Sequence, residues 1–375
     1  MSLSRQTYEE YFARIKSGGP SKLVVIIDEA QFVAKRDASF MEAVAKLKKH
    51  KLYPGPVLII LATSSTVWAT QEAAEQFKGA EMKLESLNFL DVVRHFESLP
   101  VAEIVRIYGA IGGVPAYLDK WDAAKSFKDN ICRLVLTPSG ALYGEADAVI
   151  SSELRELSAY STILAAIARG ENKLNDIFHA TGFSRAKISV YLKNLAAFNI
   201  VEKVVSFETG GWENAKKGVY QIKDTFVNFW FKFVYPNMSN LYLLSPEEFY
   251  DTYIEKELDA YLERYFREVC TEYLLILNQM GQLPFTIKRV GTWIGKTGRI
   301  DIVAQSEDRR SIIGFCNWDK PMMTMDMCEN MAMAMEQARL TSDDYYLFSA
   351  TDFEPALQSY VVRDPRFKLI NMNEL

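Results

Sequence analysis

Lys22-Leu-Val-Val-Ile-Ile-Asp28-Glu29-Ala-Gln31 sets five consecutive apolar residues in front of two carboxylates. A run of that length, rich in β-branched residues, predicts a strand of a parallel sheet buried on both faces. The acid pair at its end has the form of a Walker B strand. In a nucleotide hydrolase the first carboxylate, here Asp28, reaches the magnesium ion, and the second, Glu29, orients or deprotonates the attacking water. That chemistry also needs an upstream glycine-rich loop whose backbone N–H groups and lysine cradle the β- and γ-phosphates. Here 21 residues precede Lys22, and their Gly18-Gly19-Pro20 has no Lys-Ser/Thr after it. The expectation is an ATPase-like α/β domain without its phosphate-binding half.

Working outward, residues 7–16 predict a short amphipathic helix running into this strand. A helix over roughly 38–51 leads to a second apolar strand, Pro56-Val-Leu-Ile-Ile-Leu-Ala62, which ends in Thr63-Ser64-Ser65. Helix and strand alternating at this spacing indicate a parallel sheet. Ligands of such sheets sit at the carboxyl ends of the strands, where Asp28, Glu29 and Thr63 to Ser65 fall. Thr63 or Ser64 takes the place of a sensor for the γ-phosphate.

A chain of 375 residues has room for two or three domains, and 49 % hydrophobic with 13 % aromatic residues describes a globular protein. No apolar run approaches the roughly 18 residues of a membrane-spanning helix. The opening Met-Ser-Leu-Ser-Arg lacks the apolar core of a signal peptide, so a soluble cytoplasmic protein with no membrane partner is expected. Cys132, Cys270, Cys316 and Cys328 show no CxxC spacing, and His50, His95 and His179 are far apart, a pattern of free buried thiols rather than of a zinc site. The net charge of −5 argues against a protein that coats nucleic acid everywhere and leaves room for a local basic patch.

Residues 101–150 read as helical and contain Gly112-Gly113-Val-Pro115-Ala-Tyr117-Leu, which has no lysine for a phosphate and reads as a helix junction. From 158 to 223 the sequence spells a winged helix-turn-helix. A helix over about 159–169 precedes a second from Lys173, the turn Gly182-Phe183-Ser184, and a third helix from Arg185 to about Phe198. Ser184 is its N-cap, and Ile188, Tyr191, Leu192 and Leu195 form its inner face. Ile200 to Phe207 and Gly218 to Lys223 make a hairpin around Gly210-Gly211. Within 184–223, Arg185, Lys187, Lys193, Lys203, Lys216, Lys217 and Lys223 oppose only Glu202, Glu208 and Glu213. Arg185, Lys187 and Ser189 are placed to meet base edges, Lys216 and Lys217 in the wing to meet phosphates, and Lys193 is a further DNA-binding candidate. A partner-binding role with merely solvated lysines is the alternative.

The aromatic stretch Phe226 to Tyr235 reads as core. Helices over 247–280, strands at 284–290, 299–305 and 311–317, a helix at 326–340 and a last strand at Tyr345 to Ser349 complete a second α/β domain. The seven methionines from Met322 to Met335 read as core filling. Gly291-Thr-Trp-Ile-Gly295-Lys296-Thr297 mimics a phosphate loop but has three residues between its glycines where four are needed, and reads as a hairpin turn.

LVVIIDEAQ, LIILATSS, GGVPAYL, the winged helix running into Val219 to Phe231, and Arg299-Ile-Asp301-Ile with Gly314-Phe-Cys316-Asn-Trp318 occur in an order that resembles the prokaryotic, or archaeal-type, ATPase family of the AAA+/STAND superfamily. The resemblance implies ATP and magnesium as ligands, with Asp28 on the metal, Glu29 activating water and Thr63 or Ser64 sensing. It also implies a Tyr-Gly-Arg type element, whose arginine is absent at Phe77-Lys78-Gly79-Ala80. Finally, it implies a C-terminal domain of restriction-endonuclease-like fold. Asp301 fits the first metal-binding position of that fold, and Glu268 could supply an acid from the preceding helix. Phe315 and Asn317 stand where the second acid and the lysine should be, and Arg299 where relatives often show glutamate. A metal with so few carboxylates and no lysine cannot readily stabilise phosphoryl transfer, so this site is read as degenerate.

The expected organisation is thus α/β and multi-domain: a truncated P-loop NTPase-like parallel sheet over 1–100, a helical connector over 101–157, a winged helix over 158–235, and an inactive restriction-endonuclease-like domain over 236–375. The expected function is that of an ATPase-family protein coupled to a DNA- or partner-binding winged helix. The alternative is a non-catalytic DNA-binding or interaction protein with no ATP turnover and no cofactor; homo-oligomerisation stays open.

Overall fold

A computed structural model describes residues 7–14, 22–49, 53, 55–65, 67–77, 79–151, 154, 156–207, 218–295 and 298–375. Gly18 to Pro20, Lys78, Gly210-Gly211, Lys216, Lys217, Lys296 and Thr297 lie outside these residues. The chain is a mixed α/β protein that divides into two compact units, Met1–Leu84 and Glu85–Leu375. No helix among the described residues is long and apolar enough to cross a membrane.

In the first unit α1 (Tyr8–Ala13), β1 (Leu23–Ile27), α2 (Ala30–Ala34), α3 (Ala38–Lys48) and β2 (Val57–Leu61) follow in order. β1 and β2 pair in parallel, Leu23 against Val57 through Ile27 against Leu61. Side chains alternate across a strand, so Ile27, Ile59 and Leu61 pack toward Phe40, Met41 and Val44. The other face overturns the expectation of burial on both sides, because Val24 is 52 % and Ile26 67 % exposed, as are Leu58 (56 %) and Ile60 (41 %). The described helices of this unit cover a single face of the strand pair.

The second unit opens with α4 (Phe89–His95) and α5 (Val101–Ile111). α5 ends at Gly112, whose φ of 69° is the left-handed conformation that glycine adopts freely. A Cβ on Gly113 would lie 1.9 Å from the Leu87 carbonyl oxygen, where Leu87 N–H donates to Gly113 O at 2.9 Å. Pro115 then begins a helical turn that buries Tyr117 and Leu118. The glycine pair therefore allows two backbones to touch, as a helix junction requires.

Next come α6 (Leu157–Ala168), α7 (Leu174–Thr181), α8 (Arg185–Ala197), and the antiparallel strands β3 (Val201–Val204) and β4 (Val219–Ile222). Ser184 caps α8 by accepting from Lys187 N–H at 3.3 Å, and Ile188, Tyr191, Leu192 and Leu195 are its buried residues. α9 (Thr225–Phe229) and the turns after it bury Phe226, Phe229, Trp230, Phe231 and Phe233. The long α10 (Glu255–Gln279) follows, with Leu258, Leu262, Tyr265, Phe266, Val269, Cys270 and Leu274 buried at helical spacing.

β5 (Arg289–Ile294), β6 (Arg299–Gln305), β7 (Ser311–Asn317), α11 (Met325–Ala338), β8 (Asp344–Ser349), α12 (Pro355–Arg363) and β9 (Phe367–Asn371) complete the chain. The five strands lie in the order β9-β8-β7-β6-β5, with β5-β6-β7 antiparallel and β7-β8-β9 parallel. Two expectations are corrected. The first strand begins at Arg289 instead of 284, and just before it the Ile287 N–H is spent on Asn278 Oδ1 at 2.8 Å. The chain also does not stop at β8: α12 returns it to add β9 in parallel at the edge. Gly291 to Ile294 lie in β5 and pair antiparallel with β6, so the mock phosphate loop is the approach to a hairpin.

Candidate functional site

In the first unit β1 turns directly into α2 at Glu29, whose φ of 47° is left-handed, strain that a glutamate tolerates only when its surroundings hold it. Glu29 Oε2 accepts from Ser64 Oγ at 2.9 Å, from Ser64 N–H at 3.3 Å, and from the Gln31 side-chain amide. That amide also donates to Ser64 Oγ at 3.1 Å, while Thr63 Oγ1 donates to Gln31 Oε1 at 2.6 Å. The two strand ends are themselves joined, Ala62 N–H to Ile27 O at 2.9 Å and Ala30 N–H to Ala62 O at 3.0 Å. Asp28 is exposed and accepts from Glu29 N–H at 3.0 Å. The parallel pairing thus brings Glu29, Thr63 and Ser64 into one network, with Asp28 beside it.

Hydrogen bonds from Gln31 and then from Ser64 hold the Glu29 carboxyl below the usual glutamate range, so it is ionised at neutral pH. Carboxylates with hydroxyls are the hard oxygen donors that magnesium takes, and magnesium is commonly held by one or two carboxylates plus substrate phosphates. Asp28, exposed beside the network, could offer such an oxygen. Gln31, 2 % exposed, is the organiser that sequence reading passed over. Its only signal was an amide two positions beyond the acid pair.

On α8 the predicted basic residues do not share one direction. Arg185 Nε donates to Asn175 Oδ1 at 2.9 Å, and its guanidinium lies 4.0 Å from the Phe178 ring centre. Lys187 Nζ lies 4.4 Å from the Phe183 ring and 5.3 Å from that of Tyr191. Both lean on aromatic rings at the flanks, Arg185 exposed and Lys187 half-buried, while Ser189 and Lys193 are exposed on the outward side. α8 is anchored by Asn194 Nδ2, which donates to Tyr160 Oη at 2.8 Å, and by the Tyr191 hydroxyl, which donates to Glu156. Lys216 and Lys217 lie outside the described residues.

The third group centres on Asp301 in β6, a buried carboxylate. Its Oδ1 accepts from Arg267 Nε at 3.1 Å and from Arg299 Nε at 3.0 Å, and its Oδ2 from Cys316 N–H at 3.1 Å. Two guanidiniums thus share one oxygen of this carboxylate. Glu268 is directed elsewhere: it accepts from Arg264 Nε at 2.8 Å, and Arg264 also reaches Ile222 O at 2.8 Å. The acid beside Asp301 is instead Glu263, one helical turn before Arg267. Burial raises its carboxyl above the usual range and Asp319 adds to this, opposed by Arg299 and Arg267. Asn317 is buried and donates to Ser349 Oγ at 3.0 Å and Lys320 O at 3.2 Å, a structural strap. Phe315 packs into the apolar cluster around Ile313 and Leu347. Among the described residues no group of three or more His, Cys, Asp or Glu could hold a metal ion. Glu263 and Arg267 were legible only as an acid and a base four residues apart.

These features describe a multi-domain α/β chain with polar networks at the ends of its parallel strands. Residues 230–335 match the family DUF234, described as "Archaea bacterial proteins of unknown function". Over 356 residues the chain is similar to the uncharacterized protein MJECL04 of Methanocaldococcus jannaschii, at 27 % identity across 92 % of this chain and 78 % of that protein. Among solved structures, protein VC1899 from Vibrio cholerae aligns with 94 % of this chain and 88 % of its own, at 10 % identity and a TM-score of 0.24, too slight a likeness to carry an argument.

Proposed function

We propose that this chain is a nucleotide-linked DNA-binding protein of the archaeal-type ATPase kind. Residues 1–100 contribute a P-loop NTPase-like half-site, 101–157 a helical connector, 158–235 a winged helix, and 236–375 a restriction-endonuclease-like domain without nuclease activity. The observation that carries the nucleotide reading is the bond from Ser64 Oγ to Glu29 Oε2 at 2.9 Å, which ties a sensor-like hydroxyl on one strand end to an ionised carboxylate on its neighbour. Loss of a γ-phosphate beside such a pair changes what the hydroxyl can bond to, which is how nucleotide state is sensed.

A ligand that binds only the native state raises its melting temperature. Millimolar Mg-ATP is expected to raise that of the full chain, with Asp28→Asn and Ser64→Ala reducing the shift. No shift at that concentration sinks the nucleotide reading.

A second reading is a non-catalytic DNA-binding protein with no ATP turnover, and α8 supports the DNA binding that both readings share. That helix carries Arg185, Lys187 and Lys193 and no acidic residue. Its binding to duplex DNA is expected to fall steeply with salt, and Arg185→Ala and Lys187→Ala to weaken it on all sequences alike. Binding indifferent to those substitutions counts against it.

A further inference from the structure

The outward side of α8 carries one base, Lys193, among small and apolar residues. Residues 186, 190, 193 and 197 recur at spacings of four and three, opposite the buried 188, 191, 192 and 195, and are Ala186, Val190, Lys193 and Ala197. Val190 is 58 % exposed, a branched apolar side chain flanked by Ser189 and Lys193, with Ala186 one turn before it and Ala197 two turns after. Small residues let a helix lie close against a surface. Arg185 and Lys187, held at the two flanks by Phe178 and by Phe183 with Tyr191, are spaced to straddle whatever that surface is. Cations on both flanks, the positive end of the helix dipole at Ser184, and between them a narrow ridge in which Ala186 and Val190 precede Lys193 are complementary to the major groove, with phosphates at its rims and bases at its floor.

The major-groove floor presents a single kind of exposed apolar group, the 5-methyl of thymine. Resting on the DNA-binding reading above, we propose that Val190 is a specificity-determining residue that packs on a thymine methyl, with Ala186 giving it room. Arg185 and Lys187 then grip the backbone and carry no sequence information. This reverses the roles expected from chain order, in which Arg185 and Lys187 met the base edges.

The test begins with selection by the full chain from a pool of random-sequence duplexes, followed by titration of the enriched duplex in two forms, one with thymine and one with deoxyuridine, which lacks only the methyl. The wild type is expected to bind the deoxyuridine form about fourfold more weakly for each methyl contacted. Val190→Ala, with a melting temperature no lower than the wild type because the side chain is exposed and alanine is the better helix former, is expected to bind more weakly and to be indifferent to the exchange. A wild type indifferent to the exchange, while Arg185→Ala still weakens binding, overturns the role of Val190 and leaves DNA binding standing. Failure to bind any duplex at low salt overturns both. Self-association that Val190→Asp dissolves, without DNA binding, assigns this face to a second copy and overturns the proposal.

Discussion

Arg267 on α10 holds Asp301 on β6 at 3.1 Å. The Asp301 side chain is 7 % exposed and that of Arg267 16 %, so the pair is largely out of water. Removing one member leaves the other charge buried without its partner, the costly half of any buried ion pair. Asp301→Ala is expected to lower stability by about 3 kcal/mol in urea unfolding. Together with Arg267→Leu it should cost clearly less than the sum of the two single changes. Strict additivity would show that the two side chains do not act as a pair. Millimolar magnesium or manganese should leave the wild-type melting temperature where it is.

Glu263 borders the same cluster with its carboxyl raised, chiefly by burial. A raised folded value means the native state holds its proton more tightly than the unfolded chain. The contribution is therefore full below the ordinary value of 4.5 and is lost as pH rises through the folded value. Glu263→Gln is expected to melt higher than the wild type at pH 7, with the difference vanishing near pH 4. A lower melting temperature at pH 7 would mean that attraction to Arg267 and Arg299 outweighs burial.

Gln31 bonds to Glu29, Thr63 and Ser64 at once. Gln31→Ala is expected to cost about 1 kcal/mol in denaturant unfolding, since the bonds of a buried amide are lost while its half-buried and exposed partners can turn to water. The same change should let the Glu29 carboxyl titrate higher in an NMR pH series, because its largest stabilising bond is gone. An unmoved titration would show that Ser64 alone holds the carboxylate.

Gly113→Ala sets a methyl group 1.9 Å from the Leu87 carbonyl oxygen, and backbone cannot swing away as a long side chain can. A loss of at least about 3 kcal/mol, or failure to yield soluble protein, is expected. Gly79→Ala is the control, because a Cβ there meets nothing within 4 Å.

Much of the secondary structure was legible because periodicity and capping are local. The inner face of α8 and its Ser184 cap lie where the spacing put them, and the parallel pairing of β1 with β2 followed from alternating helix and strand. Burial was less legible. The apolar run 23–27 predicted a strand covered on both sides, yet Val24 and Ile26 are exposed, since a run of apolar residues does not say what packs against each face.

What the sequence determined by itself was residue chemistry and local geometry: an acid pair closing a strand, a glycine pair ending a helix, and three bases with no acid on α8. Only the tertiary structure decided which of those groups meet. It put Glu29 with Ser64, 35 positions away, and Asp301 with Arg267, 34 positions away. It also turned Glu268 toward Arg264 and Arg185 onto Phe178. Neighbouring residues on a helix point about 100° apart, and strand register sets which side chains face each other across a gap, so partners distant in sequence follow from packing alone.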